Sequence, residues 1–119
     1  MGTRPGITAY LEAALKASSL RGKVIANNLA NLHTPGYRRR IVEFERLLGE
    51  AMDSPNRGGL AGFEPQIRQP MTSPVDASGN DVVLETEVGQ MIKNSANYKV
   101  YLRILAKIYQ QMEMAIQDR

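Results

Sequence analysis

Three asparagines within five positions are the residues of this 119-residue chain best suited to make specific contacts. Asn27 and Asn31 are four residues apart, so they share one face of a helix, and Asn28 lies beside them. Each amide offers two donors and an acceptor, whereas Asn in a helix interior costs about 0.5 kcal/mol relative to Ala. A solvated, polar helix end is one interpretation. The other is that the amides are buried between packed helices, where they fix alignment and the choice of partner.

The asparagines run directly into a Thr-Pro-Gly-Tyr turn. Thr34 precedes a proline, which disfavours the α conformation and ends the helix near His33. Pro35 and Gly36 occupy the two central positions of a type II turn, in which Gly tolerates the required positive φ. Tyr37 leaves the turn with an aromatic body and a hydrogen-bonding tip. The sequence therefore predicts that the chain reverses sharply at a defined place.

The other chemically capable residues do not form a catalytic or metal site. His33 is the only histidine, and the chain has no cysteine. The sequence has no phosphate-binding glycine loop, nucleophile motif or cluster of metal-ligand residues. Glu85 and Glu87 are two residues apart, hence on different helix faces, where they would complement a helix N-terminus rather than act as an acid/base pair. We therefore predict no enzyme, no cofactor, no metal and no small-molecule substrate.

The charge of the chain raises nucleic-acid binding as a second class of function. The formal net charge is +3, the isoelectric point is about 9.4, and three arginines stand together at 38–40. A nucleic-acid-binding protein usually gathers its basic residues on one face. Because Glu43, Glu45 and Glu50 follow closely, we favour no nucleic acid and keep a small basic nucleic-acid-binding helical protein as the alternative. The three arginines would be either solvated or paired with a neighbouring molecule.

The composition favours a protein that buries part of its surface against neighbours. The chain has no Trp, two Phe, five Tyr and six Met, and oligomerisation would supply the burial that these few large side chains do not. The absence of cysteine excludes disulfides. No apolar run approaches the roughly 18 residues of a membrane span. Because the N-terminus lacks the apolar core of a cleavable signal peptide, any export needs another route.

Two long segments carry helical periodicity. We predict an N-terminal helix over 1–33 and a C-terminal helix over 81–118, capped by Asn80 or Asp81. The C-terminal helix carries an apolar seam in alternating steps of four and three. Its apolar members are Leu84, Val88, Met91, Tyr98, Leu102, Leu105, Tyr109, Met112 and Ile116. A second apolar row beside the seam consists of Tyr101, Ile104, Ile108 and Ala115. Two rows on one helix need two neighbours, or a bundle.

The residues between the helices complete a single domain over 1–119. The turn occupies 34–37, and a connecting segment follows over 38–80. Within it, 41–52 is predicted as a short helix, whereas 53–80 is rich in Pro, Gly, Ser and Asn and is predicted as a long irregular loop. The predicted fold is all-α, with the two long helices packed as a coiled-coil-like hairpin.

The helix end and turn resemble the N-terminal signature of bacterial flagellar rod and hook proteins. The residues that match are Asn27, Asn28, Ala30, Asn31, Thr34, Pro35, Gly36 and Tyr37. The second half is similar to the C-terminal helix of one of the two proximal rod proteins of this family, through Gly-Asn at 79–80, Leu-Glu-Thr-Glu at 84–87 and Asn-Ser-Ala-Asn-Tyr at 94–98. The sister proximal rod protein usually has Ser-Arg-Ala-Tyr at the last place and is the alternative.

The resemblance implies a structural subunit of the flagellar proximal rod. Such subunits pass through the flagellar type III export apparatus without a cleavable signal peptide and assemble in the periplasm above the membrane ring. The expected partners are further copies of the chain, other rod proteins and the protein that joins the rod to the membrane ring. We expect the matched asparagines and the turn to contact adjacent subunits or the connecting segment. The seam would hold the hairpin, whose ends would order on assembly.

The sequence departs from the family pattern at two places. Val83 stands where an acidic residue often precedes the C-terminal helix, which weakens the predicted cap. His33 occupies a position that is often Ala or another small residue. Neither departure affects the turn.

Overall fold

The computed structural model describes residues 6–53 and 63–118. The start of the predicted helix at 1–33 and part of the loop predicted over 53–80 lie outside these ranges. The described elements are α1 (Ile7–Ala30), β1 (Ile41–Glu43), α2 (Glu45–Met52), β2 (Gln66–Arg68) and α3 (Leu84–Gln117). The molecule is elongated, with extents of 66 × 31 × 14 Å. The prediction of a predominantly α fold is confirmed.

The helices α1 and α3 pack side by side in antiparallel directions. Towards the start of α1, the Tyr109 hydroxyl donates a hydrogen bond to Glu12 Oε1 at 2.9 Å. Further along, Asn94 Nδ2 donates to the Ser18 carbonyl oxygen at 2.8 Å. Gly22 also faces Asn94 here, since a Cβ on Gly22 would make ordinary van der Waals contact with Asn94 Nδ2 at 3.7 Å. The predicted packing of the two long helices against each other is confirmed.

The face of α3 that packs on α1 is not the predicted seam. Among the seam residues, Leu105 is buried and Met91 is half-buried. The other members are at least 39% exposed: Leu84, Val88, Tyr98, Leu102, Tyr109, Met112 and Ile116. The expectation that the seam forms the hairpin core is therefore wrong for the single chain. The contact stripe instead combines Leu105 with Glu87, Asn94 and Tyr101, because it runs between the two apolar rows.

The main apolar cluster joins α1 to α2. Ala14 and Ala17 present a smooth surface on α1, against which Phe44 and Leu48 pack, and all four are buried. The Phe63 ring meets Phe44 edge-on, with ring centroids 5.2 Å apart. Burial of each large side chain contributes about 1.5–3 kcal/mol. This cluster holds the connecting segment on the side of α1.

A two-stranded antiparallel sheet departs from two predictions, because β1 lies within the predicted short helix and β2 lies within the segment predicted as an irregular loop. The short helix expected over 41–52 begins only at Glu45, and β1 precedes it. In the sheet Val42 lies opposite Ile67, and the β-branched pair at 41–42 suits an extended strand. Arg46 and then Arg68 hold the pKa of the Glu43 carboxyl below its usual value through hydrogen bonds and charge. The all-α prediction missed this pairing.

The start of α3 also differs from the prediction. Val83 is the N-cap residue, with φ −116° and ψ 119°, and it makes no side-chain capping bond. Asn80 and Asp81, the predicted caps, are buried and bond elsewhere. No helix in the described ranges is long and apolar enough to cross a membrane.

Candidate functional site: a polar junction at the turn end

The chain reverses after α1 through the predicted turn. The Tyr37 backbone N–H donates to the Thr34 carbonyl oxygen at 3.2 Å, and Gly36 has φ +74°, as a type II turn requires. The Gly36 backbone N–H donates a hydrogen bond to the Ser78 carbonyl oxygen at 2.8 Å. Gly79 stacks on this turn, since a Cβ on Gly79 would lie 3.5 Å from Gly36 Cα. The turn is thus fixed from both sides.

Below the turn lies a cluster of bonded polar side chains that we call the polar junction. It consists of Asn28, Tyr37, Arg38, Arg39, Asp81 and Glu87. Together these residues connect α1, the chain leaving the turn, and the start of α3. No buried side-chain nitrogen or oxygen atom in the described ranges lacks a hydrogen-bond partner.

Asn28 is at the centre of the polar junction and is 0% exposed. Its Nδ2 donates to the Arg40 carbonyl oxygen at 2.9 Å and to Glu87 Oε1 at 2.6 Å. Its Oδ1 accepts from the Arg40 N–H and from the Tyr37 hydroxyl, each at 3.0 Å. All the capacity of one amide is therefore used to join three segments of the chain. This is the buried alignment role considered for the asparagines, and its partner is the connecting segment.

Glu87 brings a buried carboxylate into the same place. Its Oε2 accepts from Arg39 Nε at 3.2 Å and lies 3.1 Å from Arg39 Nη2. Its Oε1 accepts from Asn28. A carboxylate removed from water is costly unless it is both paired and hydrogen-bonded, and Glu87 meets both conditions. The sequence analysis assigned Glu87 only to the N-terminal end of the helix and did not predict its bonds to Asn28 and Arg39.

Asp81 anchors the two arginines that follow Tyr37. Its Oδ2 accepts from Arg38 Nε at 3.1 Å, and its Oδ1 accepts from the backbone N–H of Arg39. Arg38 and Arg39 are thus engaged within the chain, rather than solvated or paired with a neighbour as expected. Arg40 is exposed. The arginine triplet does not form a free basic stripe, which removes the main observation behind the nucleic-acid alternative.

Asn80 closes the end of α1. Its Nδ2 donates to the carbonyl oxygens of Asn31, Leu32 and Thr34, at 2.9, 3.2 and 2.8 Å. These carbonyl groups belong to the C-cap residue of α1 and to the turn that follows it, so one amide fixes the turn against the end of the helix. Asn80 therefore caps the C-terminal end of α1 instead of the start of α3.

The loop that presents Asn80 is organised by Asp76. Asp76 Oδ1 accepts from the Ser78 N–H, the Ser78 hydroxyl and the Asn80 N–H, at 2.8, 2.7 and 3.1 Å. These bonds, with that of the Ser78 hydroxyl the largest, hold the pKa of the Asp76 carboxyl below its usual value. The ionised carboxylate is therefore part of the loop structure.

The remaining predicted site residues lie at the surface of the turn end. Asn27 Nδ2 donates to the Tyr37 hydroxyl at 2.9 Å, and Asn31 Nδ2 donates to the Asn27 carbonyl oxygen at 2.8 Å. The Thr34 hydroxyl donates to Asn31 Oδ1 at 3.0 Å. Pro35 is exposed beside them. Their contact with adjacent subunits stays a prediction.

Sequence reasoning found Asn28 and Tyr37 but missed the two buried acids of the polar junction, Asp81 and Glu87. Asp81 and Glu87 are more than 40 positions from the arginines that they bind, and no periodicity links them. The sequence did contain one signal for these ion pairs. Two arginines follow the turn directly, and acidic residues stand around the start of the second helix, which the hairpin brings beside the turn. The described residues contain no group of three or more His, Cys, Asp or Glu that could hold a metal ion.

Comparison with known proteins identifies the class. Residues 11–38 match the family described as flagella basal body rod protein. The match covers most of α1 and the whole turn, including the asparagines at 27, 28 and 31.

Relatives then specify the protein. FlgB of Aeromonas hydrophila, a flagellar basal body rod protein, is 30% identical over 84% of this chain and 82% of its own length. FlgB of Bacillus subtilis is 28% identical over 79% of this chain and 80% of its own, and FlgB of Borrelia hermsii is 28% identical over 86% and 89%. The chain belongs to the FlgB family of flagellar basal body rod proteins. The predicted resemblance is confirmed, and the family supports a structural role in the rod rather than an enzymatic one.

Proposed function

We propose that the chain is a structural subunit of the proximal rod, and that it polymerises through helical-hairpin contacts into the shaft that transmits torque from the membrane ring. The observation that carries this proposal is the apolar surface of α3 that α1 leaves uncovered. Leu102, Met112 and Ile116 of the seam are 48%, 54% and 69% exposed. Membership of the family supports a place in the rod, and the exposed apolar surface of α3 supports assembly through contacts between subunits.

The uncovered surface is larger than a single hairpin needs. Besides the exposed seam residues, α3 exposes Ile92, Val100, Ile104 and Met114. Soluble monomers rarely expose contiguous apolar patches of more than a few hundred Å² unless the patch binds something. Since α1 covers one side of α3, the remaining sides are available to two neighbouring subunits. Burial of each large side chain would then contribute about 1.5–3 kcal/mol to assembly.

A filament forms when identical subunits repeat a contact between two different faces. When two different faces of identical subunits meet, the contact leaves both outer faces free, and the array continues as a helix or closes as a ring. The paired helices would form the inner layer of a hollow shaft. The polar junction would keep α1, the connecting segment and α3 in a fixed relation, so that each copy presents its faces at the same angle.

The other expected partners fit this position. We propose contacts with other rod proteins and with the protein that joins the rod to the membrane ring. We place the exposed turn-end residues Asn27, Thr34 and Pro35, with the half-buried Asn31, at such contacts. The chain would reach the periplasm through the flagellar type III export apparatus, without a cleavable signal peptide.

Deletion of the gene in its flagellated host tests the proposal. Basal bodies isolated from the deletion strain should stop at the membrane ring, and the wild-type gene should restore them. Leu102→Glu should be exported but should not polymerise, because it places a charge in the uncovered seam. Arg103→Glu, a matched exposed change on the same helix, should restore basal bodies. Normal basal bodies in the deletion strain would contradict the rod assignment.

A further inference from the structure

A cleft opens between α1, β1 and α3, on the side of the hairpin that carries the arginines. Its volume is about 480 Å³. Its polar lining consists of four basic side chains, three amides and one carboxylate: Arg21, Arg39, Arg40, Lys93, Gln90, Asn94, Asn97 and Glu45. We call this space the basic cleft. Its floor includes the buried side chains of Val24, Ile25 and Val42.

Two of the four cations in the basic cleft are already neutralised. Arg21 donates to Glu45 Oε2 at 2.8 Å and also contacts Oε1, and its hydrogen bonds lower the pKa of the Glu45 carboxyl. Arg39 is paired with Glu87.

Arg40 and Lys93 are the other two cations. Within 6–53 and 63–118 neither makes an ion pair, and both are exposed. Residues 1–5, 54–62 and 119 contain no Asp or Glu, so no acid of the chain outside the described ranges is left to pair with them. The charge of Lys93 helps to lower the pKa of the Glu45 carboxyl, but Glu45 makes its ion pair with Arg21. The basic cleft therefore offers two cations that are not held in an ion pair.

The opposite end of the molecule has the complementary character. Residues 112–118 contain Glu113 and Asp118 and no Lys or Arg, and the basic residue that follows them is Arg119. Neither acid makes an ion pair among the described residues, and Met114 between them is 57% exposed. Unbranched Met side chains adapt to irregular apolar surfaces such as the cleft floor.

These two surfaces cannot meet within one molecule. Lys93 and Glu113 lie on the same continuous helix, α3, about 30 Å apart at 1.5 Å per residue. A contact between them requires a second copy. The two copies would be related head to tail, as a filament needs.

We propose that the basic cleft binds the 112–118 end of α3 from a second copy of the chain. Glu113 of one copy lies beside Lys93 and Arg40 of the next, and its neighbouring methionines cover the apolar floor. This inference rests on the proposed rod function and specifies which two faces of the subunit meet.

The absence of native cysteine allows a direct test by crosslinking in the host. One allele carries Lys93→Cys and a second carries Glu113→Cys, each with a different tag, and a short bismaleimide is applied to isolated basal bodies. We expect a crosslinked species that contains both tags. The control pairs Lys93→Cys with Arg103→Cys, an exposed position outside the proposed contact, and should give no such species.

Charge reversal provides the second arm. With the cysteines moved to two uncharged positions of the same surfaces, Gln90→Cys in the cleft and Gln117→Cys at the end of α3, Lys93→Glu should lower the crosslinked yield about three- to tenfold. Adding Glu113→Lys should restore it. If basal bodies form with both cysteine alleles but the two tags are never joined, this contact is wrong while the rod function stands. If basal bodies form without the gene, the rod function itself is wrong.

Discussion

Replacing Asn28 with alanine should destabilise the hairpin far more than the same change one position earlier, at Asn27. Asn28→Ala removes bonds to the Arg40 N–H, the Arg40 carbonyl oxygen, the Tyr37 hydroxyl and Glu87. The two backbone bonds contribute about 1 kcal/mol each, and a bond to a charged partner about 1.5–3 kcal/mol. Since Tyr37 keeps its bond from Asn27, we expect a total loss of about 3–5 kcal/mol in the free energy of unfolding.

Urea denaturation followed by far-ultraviolet circular dichroism measures this loss. With a slope of about 1.5 kcal/mol per M, the expected change lowers the midpoint by about 2–3 M. Small domains are stable by about 5–15 kcal/mol, so the variant would be close to unfolded at the low end of that range. A sloping baseline without a transition would therefore also agree with the prediction if wild type unfolds cooperatively.

Asn27→Ala is the matched control. The Asn27 side chain is exposed and donates one bond, to the Tyr37 hydroxyl, so its loss should be below about 1 kcal/mol. Asn28→Asp keeps the shape but sets a second carboxylate against Glu87, and it should be at least as destabilising as Asn28→Ala. Equal losses for the two alanine variants, or a stable Asn28→Asp protein, would refute the central role of Asn28.

Three further changes test other parts of the turn end. Gly36→Val should cost at least about 1–2 kcal/mol, because valine is strained at φ +74°; the added Cβ would meet no atom within 4 Å, so the cost comes from the backbone and not from a clash. Thermal melting beside a Gly49→Ala control measures this cost, and an unchanged melting temperature would contradict it. The lowered pKa of Asp76 stabilises the loop above its usual pKa of 3.8, and this contribution is lost as the pH falls through the folded value. Asp76→Asn should flatten the loss of stability below pH 3.8, and an unchanged acid limb in urea titrations would count against the loop account. Glu87→Gln should cost about 2–3 kcal/mol, because Arg39 loses its counter-charge; additivity in a double-mutant cycle with Arg39→Gln would show that the two do not interact.

The two long helices and the turn were predictable because their signals are local. The periodicity of the second half predicted α3 with a start three residues too early and an end one residue too late, and Pro35 with Gly36 indicated the turn type. The short strands could not be predicted in the same way. Three residues such as Ile41–Glu43 carry no measurable period, and their partner strand follows more than 20 positions later. Such pairing is decided by tertiary contact rather than by local preference.

The face of α3 that packs on α1 could not be chosen from the sequence. Two apolar rows made both sides plausible, and the regular seam suggested the wrong one. The actual contact stripe begins with Glu87 and Asn94, which a search for apolar periodicity discards, and becomes apolar only at Tyr101 and Leu105. A polar residue that is buried because it has a distant partner gives no hydrophobic signal.

The polar junction could also be predicted only in part from the sequence. The three asparagines indicated buried amide contacts, and this held for Asn28. Its acidic partner Glu87 and the cap Asn80 come from the other half of the chain, so only the closed hairpin brings them together. The sequence thus indicated where the junction begins but not what completes it.

The most direct test of the proposed assembly is an electron cryomicroscopy map of basal bodies from the native host, at a resolution that traces this chain. We predict that it lies in the proximal rod, with Leu102, Tyr109 and Met112 of α3 buried against neighbouring subunits and with the Asn28–Glu87 contact intact. A chain that is absent from the rod, or whose α3 seam faces solvent within it, would contradict the account.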